Sequence, residues 1–215
     1  MKPKLDYTLY LVTDSVLMST NTLAEAVTQA MAGGCTLVQL REKKASSLEF
    51  FRQAKELHEI IRSKDIGFIV NDRLDIALAT EADGVHVGQS DLPARIARKL
   101  IGQDKILGVS VGNLQEALEA ERDGADYLGV GAMFATDTKT DAGLTSIKEL
   151  LRIRQAVSLP IVVIGGINQG TVPSFFGTGI DGIAVVSAII AQKDIAQAAA
   201  DMKQLFLSGM KGQRH

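Results

Sequence analysis

Short runs of branched apolar residues in this 215-residue sequence repeatedly end in side chains that could do chemistry. The run CTLVQLRE carries Gln39, Leu40, Arg41 and Glu42 at its end and leads into Lys43, so an amide, a guanidinium and an ammonium stand together. GFIVND ends in Asn71 and Asp72, GVHVG is followed by Gln89 and Asp91, and ILGVSV ends around Ser110. YLGVGAMF runs into the polar segment ATDTKTDAG, which holds Thr136, Asp137, Thr138 and Lys139. PIVVIGG ends in Gly165 and Gly166, and GIAVVS in Val186 and Ser187.

These residue types suit anions and a hard cation. A double glycine after a strand lets backbone N–H groups approach a phosphate closely, and a strand end that opens a helix offers more such donors. Its alternative is a tight turn. Asp72 and Asp91, with no histidine partner, match Mg²⁺, which keeps waters and takes its other ligands from substrate phosphates. Against this, Asp91 precedes Leu92 and Pro93 and could simply cap a helix. Lys43 and Lys139 are cations that could neutralise a departing diphosphate, although a loop lysine is often only solvated. His86, between Val85 and Val87, reads as a buried, hydrogen-bonded residue rather than a catalytic one. Cys35 opens an apolar run and reads as a small buried residue rather than a nucleophile.

The elements that must position these groups are legible from pattern. Eight β-rich runs, YTLYLVTD first and the seven just quoted after it, alternate with segments of helical period such as NTLAEAVTQAMAGG, SSLEFFRQAKELHEIIRSK, NLQEALEAERDGAD and TSIKELLRIRQAVS. The helical segments open on polar caps, and several close on glycine. Strands apolar on both faces belong to parallel sheets covered by helices, and strict alternation requires right-handed crossovers. Eight such units close into a (β/α)8 barrel of the TIM type, whose sites lie in the loops after the strands and which often binds phosphate beside the last two. An open doubly wound sheet would carry a glycine fingerprint after its first strand, where this chain has VTDSVLM. Residues 82–85, 124–128 and 179–183 repeat one phrase around Asp83, Asp126 and Asp181 before strands four, six and eight, as one turn used three times. A single barrel domain over 1–207 and a flexible C-terminal tail over 208–215 are expected.

Composition excludes several classes. With 46% hydrophobic and 22% charged residues and a net charge of −2, the chain is an ordinary folded protein with no positive field for nucleic acid or anionic lipid. No apolar stretch approaches the roughly 18 residues that span a bilayer, and the N-terminus lacks a signal-peptide core. A single cysteine cannot form an intrachain disulfide and suits a reducing compartment. A cytoplasmic enzyme acting on small molecules is expected, with no nucleic-acid or membrane partner, and a homo-oligomer is left open.

Seven ordered blocks, QLREK, FIVNDRLDIALA, DGVHVGQSD, LGVSV, FATDTKTDAG, PIVVIGGI and VVSAI, together resemble the thiamine-phosphate synthase family over nearly the whole chain. The resemblance implies a transferase that condenses 4-amino-2-methyl-5-(diphosphooxymethyl)pyrimidine with 4-methyl-5-(2-phosphoethyl)thiazole, or its carboxylated form, releasing pyrophosphate through a pyrimidine carbocation. It implies that the pyrimidine diphosphate is bound by Gln39, Leu40, Arg41, Glu42, Lys43, Asn71, Ser110 and Lys139, with Lys43, Ser110 and Lys139 catalytic. It implies Mg²⁺ on Asp72 and Asp91, and the thiazole phosphate on Thr136, Asp137, Thr138, Gly166, Val186 and Ser187. The family usually has proline where this chain has Ala132 and Ala135, so a looser strand-six loop with retained activity is expected. The related thiazole tautomerase, which uses neither diphosphate nor metal, is disfavoured by Asn71, Asp72, Asp91 and the TDTK segment. A binding-only sensor would have little need of both anion sites and the paired carboxylates.

Overall fold

In the computed structural model, which describes residues 2–64, 66–135 and 143–211, all eight apolar runs form strands. They are β1 (Leu9–Val12), β2 (Leu37–Leu40), β3 (Gly67–Asn71), β4 (Gly84–Val87), β5 (Ile106–Val111), β6 (Tyr127–Val130), β7 (Ile161–Val163) and β8 (Gly182–Val185). Each pairs in parallel with the next, and β8 returns to pair with β1. The barrel is closed, which removes the open-sheet alternative. Around it lie α1 (Leu23–Ala32), α2 (Ser47–Ile61), α3 (Leu74–Ala79), α4 (Ala94–Ile101), α5 (Leu114–Arg122), α6 (Ile147–Ala156), α7 (Ser187–Ile190) and α8 (Ile195–Lys211). None of the described helices is long and apolar enough to cross a membrane.

Local signals explain the helix starts. Thr22, Ser46, Asn113 and Ser146 each accept a hydrogen bond from the backbone N–H three residues on, at Glu25, Glu49, Glu116 and Glu149. Each cap satisfies a first-turn donor and sets a carboxylate near the positive end of the helix dipole. Two elements depart from the sequence pattern. The seventh unit carries only a 3₁₀ turn, Val172–Phe175, because Pro173 and the flanking Gly170, Gly177 and Gly179 interrupt any longer helix. The expected tail boundary at 207 falls inside α8, which continues through 208–211. Gly209, within that helix, packs closely: a Cβ on it would lie 2.1 Å from the Phe176 ring.

Alternation along each strand divides the core in two. Leu9, Leu11, Val38, Leu40, Val70, Val85, Val109 and Val130 pack outward against the helices. Tyr10, Val12, Leu37, Ile69, Ile106, Tyr127, Val162 and Ala184 fill the barrel interior.

The repeated aspartate phrase closes the N-terminal end. Asp83 Oδ2 accepts the Phe68 N–H at 2.8 Å while its own N–H donates to Phe68 O. Asp126 does the same to Leu107, and Asp181 to Ile161, each with a 2.8 Å carboxylate contact. Thr36 repeats the pattern on β1 with a hydroxyl, its Oγ1 accepting the Leu9 N–H at 3.0 Å and its N–H donating to Leu9 O. Residues preceding the even strands thus hold an N–H at the start of each odd strand, four times around the barrel.

Candidate active site

At the opposite end, the strand termini bring most of the candidate side chains to one rim. Asn71 ends β3 in register with His86 of β4. The next residue, Asp72, takes φ 61°, a left-handed conformation tolerated by aspartate better than by most residues, and its N–H donates to His86 O at 2.8 Å. Lys43, three residues beyond β2, places its Nζ 2.7 Å from Asp72 Oδ2. Asp91 Oδ2 accepts the Gly88 N–H at 2.8 Å, closing the loop after β4. The cap alternative for Asp91 is removed, since α4 begins beyond Pro93 with no side-chain cap. Burial, and then the adjacent Asp72 carboxylate, raise the Asp91 carboxyl above the ordinary range.

Two apposed carboxylates beside a cation form a donor set that a divalent ion would complete. Among the described residues no group of three or more His, Cys, Asp or Glu gathers as a metal site. Two oxygen donors without further protein ligands fit Mg²⁺, which is held by one or two carboxylates with water and substrate phosphate filling the rest.

The remaining β2 residues separate by strand parity. Gln39 is buried in the interior and donates from Nε2 to Tyr10 Oη at 2.7 Å. Leu40 faces the helices in the outer core, so its side chain lies away from the mouth and only its backbone is open to a ligand there. Arg41 is tethered to the loop after β1, its N–H on Thr13 Oγ1 at 3.0 Å and its guanidinium 3.4 Å from Asp14. Glu42 turns to the same loop, accepting from Ser15 Oγ at 2.8 Å, and burial raises its carboxyl. A raised carboxyl beside an anion site costs less repulsion than an ordinary one.

Ser110 on β5 meets His86 Nε2 with its Oγ at 2.8 Å, and Gln89 donates to the Ser110 carbonyl at 2.8 Å. Gly165 and Gly166 both take positive φ, 92° and 65°. A Cβ on Gly165 would lie 2.6 Å from Ala132 Cβ, and one on Gly166 2.7 Å from Phe134 Cβ, so the loops after β6 and β7 touch through the glycine pair. The Gly131–Ala132 peptide is cis. Val186 follows β8, and Ser187 opens α7. Thr136, Asp137, Thr138 and Lys139 lie outside the described residues.

A family model for thiamine monophosphate synthase matches residues 9–189. The chain belongs to that family. It is accordingly a transferase of thiamine phosphate synthesis. The thiamine-phosphate synthase of Clostridium beijerinckii is 63% identical over 207 residues, covering 96% of this chain and 99% of the relative. That of Ruminiclostridium cellulolyticum is 60% identical over 208 residues, covering 97% and 99%. The solved thiamine phosphate pyrophosphorylase of Pyrococcus furiosus superposes with a TM-score of 0.88 at 39% identity, over 95% of this chain and 98% of that one.

In this family member, sequence reasoning passed over Tyr10 and Tyr127, whose hydroxyls meet at 2.8 Å inside the barrel. The signal that could have found them is glycine inside a strand. A Cβ on Gly108 would lie 2.2 Å from Tyr127 Cζ, and one on Gly129 would lie 3.0 Å from His86 Cε1. His86 is buried and hydrogen-bonded, as its strand position indicated.

Proposed function

We propose that the mouth is divided between two anions: a metal-bound diphosphate on the aminopyrimidine over β2 to β5, and a monophosphate on the thiazole over β6 to β8. The observation that carries this reading is the meeting of Lys43, Asp72 and Asp91 at neighbouring strand ends. Asp72 and Asp91 would hold Mg²⁺, whose charge helps neutralise the diphosphate as it leaves. Lys43, joined by Lys139, holds the non-bridging phosphate oxygens, and Arg41 supplies further positive charge near the same rim. Gln39, Asn71 and Ser110 orient the pyrimidine ring, while Leu40 and Glu42 border it through backbone.

His86, the histidine on the strand ends, is engaged by Tyr127 and Ser110. The reaction runs by departure of pyrophosphate from the pyrimidinylmethyl carbon, leaving a ring-stabilised carbocation, followed by attack of the thiazole nitrogen. Positioning and charge neutralisation supply the acceleration. Gly166, Val186 and Ser187 offer backbone donors to the thiazole phosphate, and Thr136, Asp137 and Thr138 complete that subsite. The chain works on these small molecules in the cytoplasm, where Cys35, buried with its thiol pushed up to about 12, stays reduced.

The test is to incubate the purified chain with both substrates, with and without Mg²⁺, and follow pyrophosphate and thiamine phosphate together. Metal-dependent formation of both in equal amounts is expected. Full turnover after chelation of divalent ions would overturn the metal assignment, and pyrophosphate release with saturable thiazole phosphate but no coupling would overturn the two-anion division.

A further inference from the structure

Three consecutive peptide groups after β7, from Ile164 to Ile167, are each held by the carbonyl. Met133 donates its N–H to Ile164 O at 2.9 Å and Phe134 to Gly165 O at 3.1 Å, both from the loop after β6. The third carbonyl, Gly166 O, accepts from two side chains of its own loop, Asn168 Nδ2 at 3.1 Å and Thr171 Oγ1 at 3.0 Å. These peptides are trans, so each N–H points away from the carbonyl of the residue before it. The held carbonyls therefore turn the N–H groups of Gly165, Gly166 and Ile167 away from those partners. Among the described residues, none of the three meets a protein acceptor. Ile167 is buried, and a backbone donor in a buried residue is rarely left without a partner.

The side chains that clamp Gly166 are themselves held. Asn168 Oδ1 accepts the Gly170 N–H at 2.9 Å, which fixes the amide so that Nδ2 faces the Gly166 carbonyl. Thr171 Oγ1 accepts the Asn168 N–H at 2.9 Å, so its own proton goes to a carbonyl, and Gly166 O at 3.0 Å is nearer than Asn168 O at 3.2 Å. The Asn168 carbonyl takes the N–H groups of Thr171 and Val172, each at 3.0 Å. A reason for the clamp lies in the glycine pair. Close contact with Ala132 and Phe134 leaves no room for a Cβ at either position, yet glycine is the residue whose backbone turns most freely. The loop after β6 restrains the first two peptides through its backbone, and only the Gly166–Ile167 peptide depends on side chains.

We infer that Asn168 and Thr171 are positioning residues for the monophosphate: by fixing the Gly166 carbonyl they hold the Ile167 N–H beside that of Gly166 as donors to the thiazole phosphate. Neither side chain touches the phosphate. Both act through the orientation of one peptide, so that the backbone donors are ordered before the anion arrives and binding loses less freedom. The inference rests on the monophosphate lying at Gly166, as proposed above.

The experiment measures KM for each substrate, and kcat, in the full chain and in its Thr171→Val, Thr171→Ser and Asn168→Ala variants, and reads the Gly165, Gly166 and Ile167 amides by ¹⁵N NMR. Thr171→Val and Asn168→Ala should each raise KM for the thiazole phosphate roughly fivefold or more, with KM for the pyrimidine diphosphate and kcat within about twofold. Thr171→Ser, which keeps the hydroxyl, should restore the ordinary KM. An unchanged thiazole phosphate KM in both variants, or a rise in both KM values alike with a fall in kcat, would overturn the inference. So would a mobile loop in the unsubstituted protein, a reading that survives a variant that fails to fold: the three amides should show order parameters of about 0.85 without ligand, and values below about 0.6 contradict the clamp. Adding thiazole phosphate to the unsubstituted protein separates the two levels. If none of the three amide signals moves, the placement of the monophosphate fails as well, whereas if they move and the variants keep their KM, only the positioning inference fails.

Discussion

At the N-terminal end of the barrel Asp83, Asp126 and Asp181 each accept a strand N–H, whereas at the C-terminal end Asp72 and Asp91 face each other beside Lys43. The first three carboxylates complete the fold. Asp126 also pairs with Arg98, whose guanidinium is almost wholly buried and donates to the Gly102, Gly124 and Lys105 carbonyls. The second two set like charges together, with Asp72 in a left-handed conformation that a folded chain adopts at a cost. One residue type thus satisfies strand N–H groups at one end and, in the proposed reading, would hold a metal ion at the other. Local arrangements that carry such a cost are where the proposed metal and diphosphate would complete the protein.

Substitutions at the two ends should break apart activity and stability. The largest effect is expected from Asp72→Ala, and from Asp72→Asn, which keeps a side chain suited to positive φ: turnover falls on the order of a thousandfold or more. Urea unfolding of the Asn variant should move by no more than about 0.5 kcal/mol. An unfolding shift matching the loss of rate would place Asp72 among the structural carboxylates. Asp126→Ala should cost about 3–5 kcal/mol in the same denaturation experiment, because the Arg98 charge and the Leu107 N–H lose their acceptor together. Its turnover per folded molecule should be unchanged. Asp83→Ala removes only the acceptor for Phe68 N–H and should cost about 1–3 kcal/mol. Thr36→Val, nearly isosteric, should cost about 1 kcal/mol through the Leu9 N–H. A drop in turnover in either of these two, with folding intact, would mean that the N-terminal end is not merely structural.

The barrel was legible because its strands are branched and apolar on both faces, a pattern that a closed parallel sheet imposes directly. The three aspartate turns were legible as a repeat, but Thr36 was not, because a hydroxyl does the same work without repeating the residue. At the rim, Asp72 and Lys43 could be read from strand ends alone. Leu40 could not be separated from Gln39 until strand parity was fixed by pairing, and Asp91 remained ambiguous with a cap until α4 was seen to start beyond Pro93. The Tyr10, Tyr127 and His86 line required the closed barrel, since its members come from strands far apart in sequence.

The central division between the two ends is tested most directly by calorimetric titration of the purified chain with pyrophosphate, with and without Mg²⁺, alongside Asp72→Asn and Asp83→Ala. Metal-dependent binding that survives in Asp83→Ala and disappears in Asp72→Asn is the expected result. Equal binding without metal, or loss in Asp83→Ala while that variant remains folded, would contradict it.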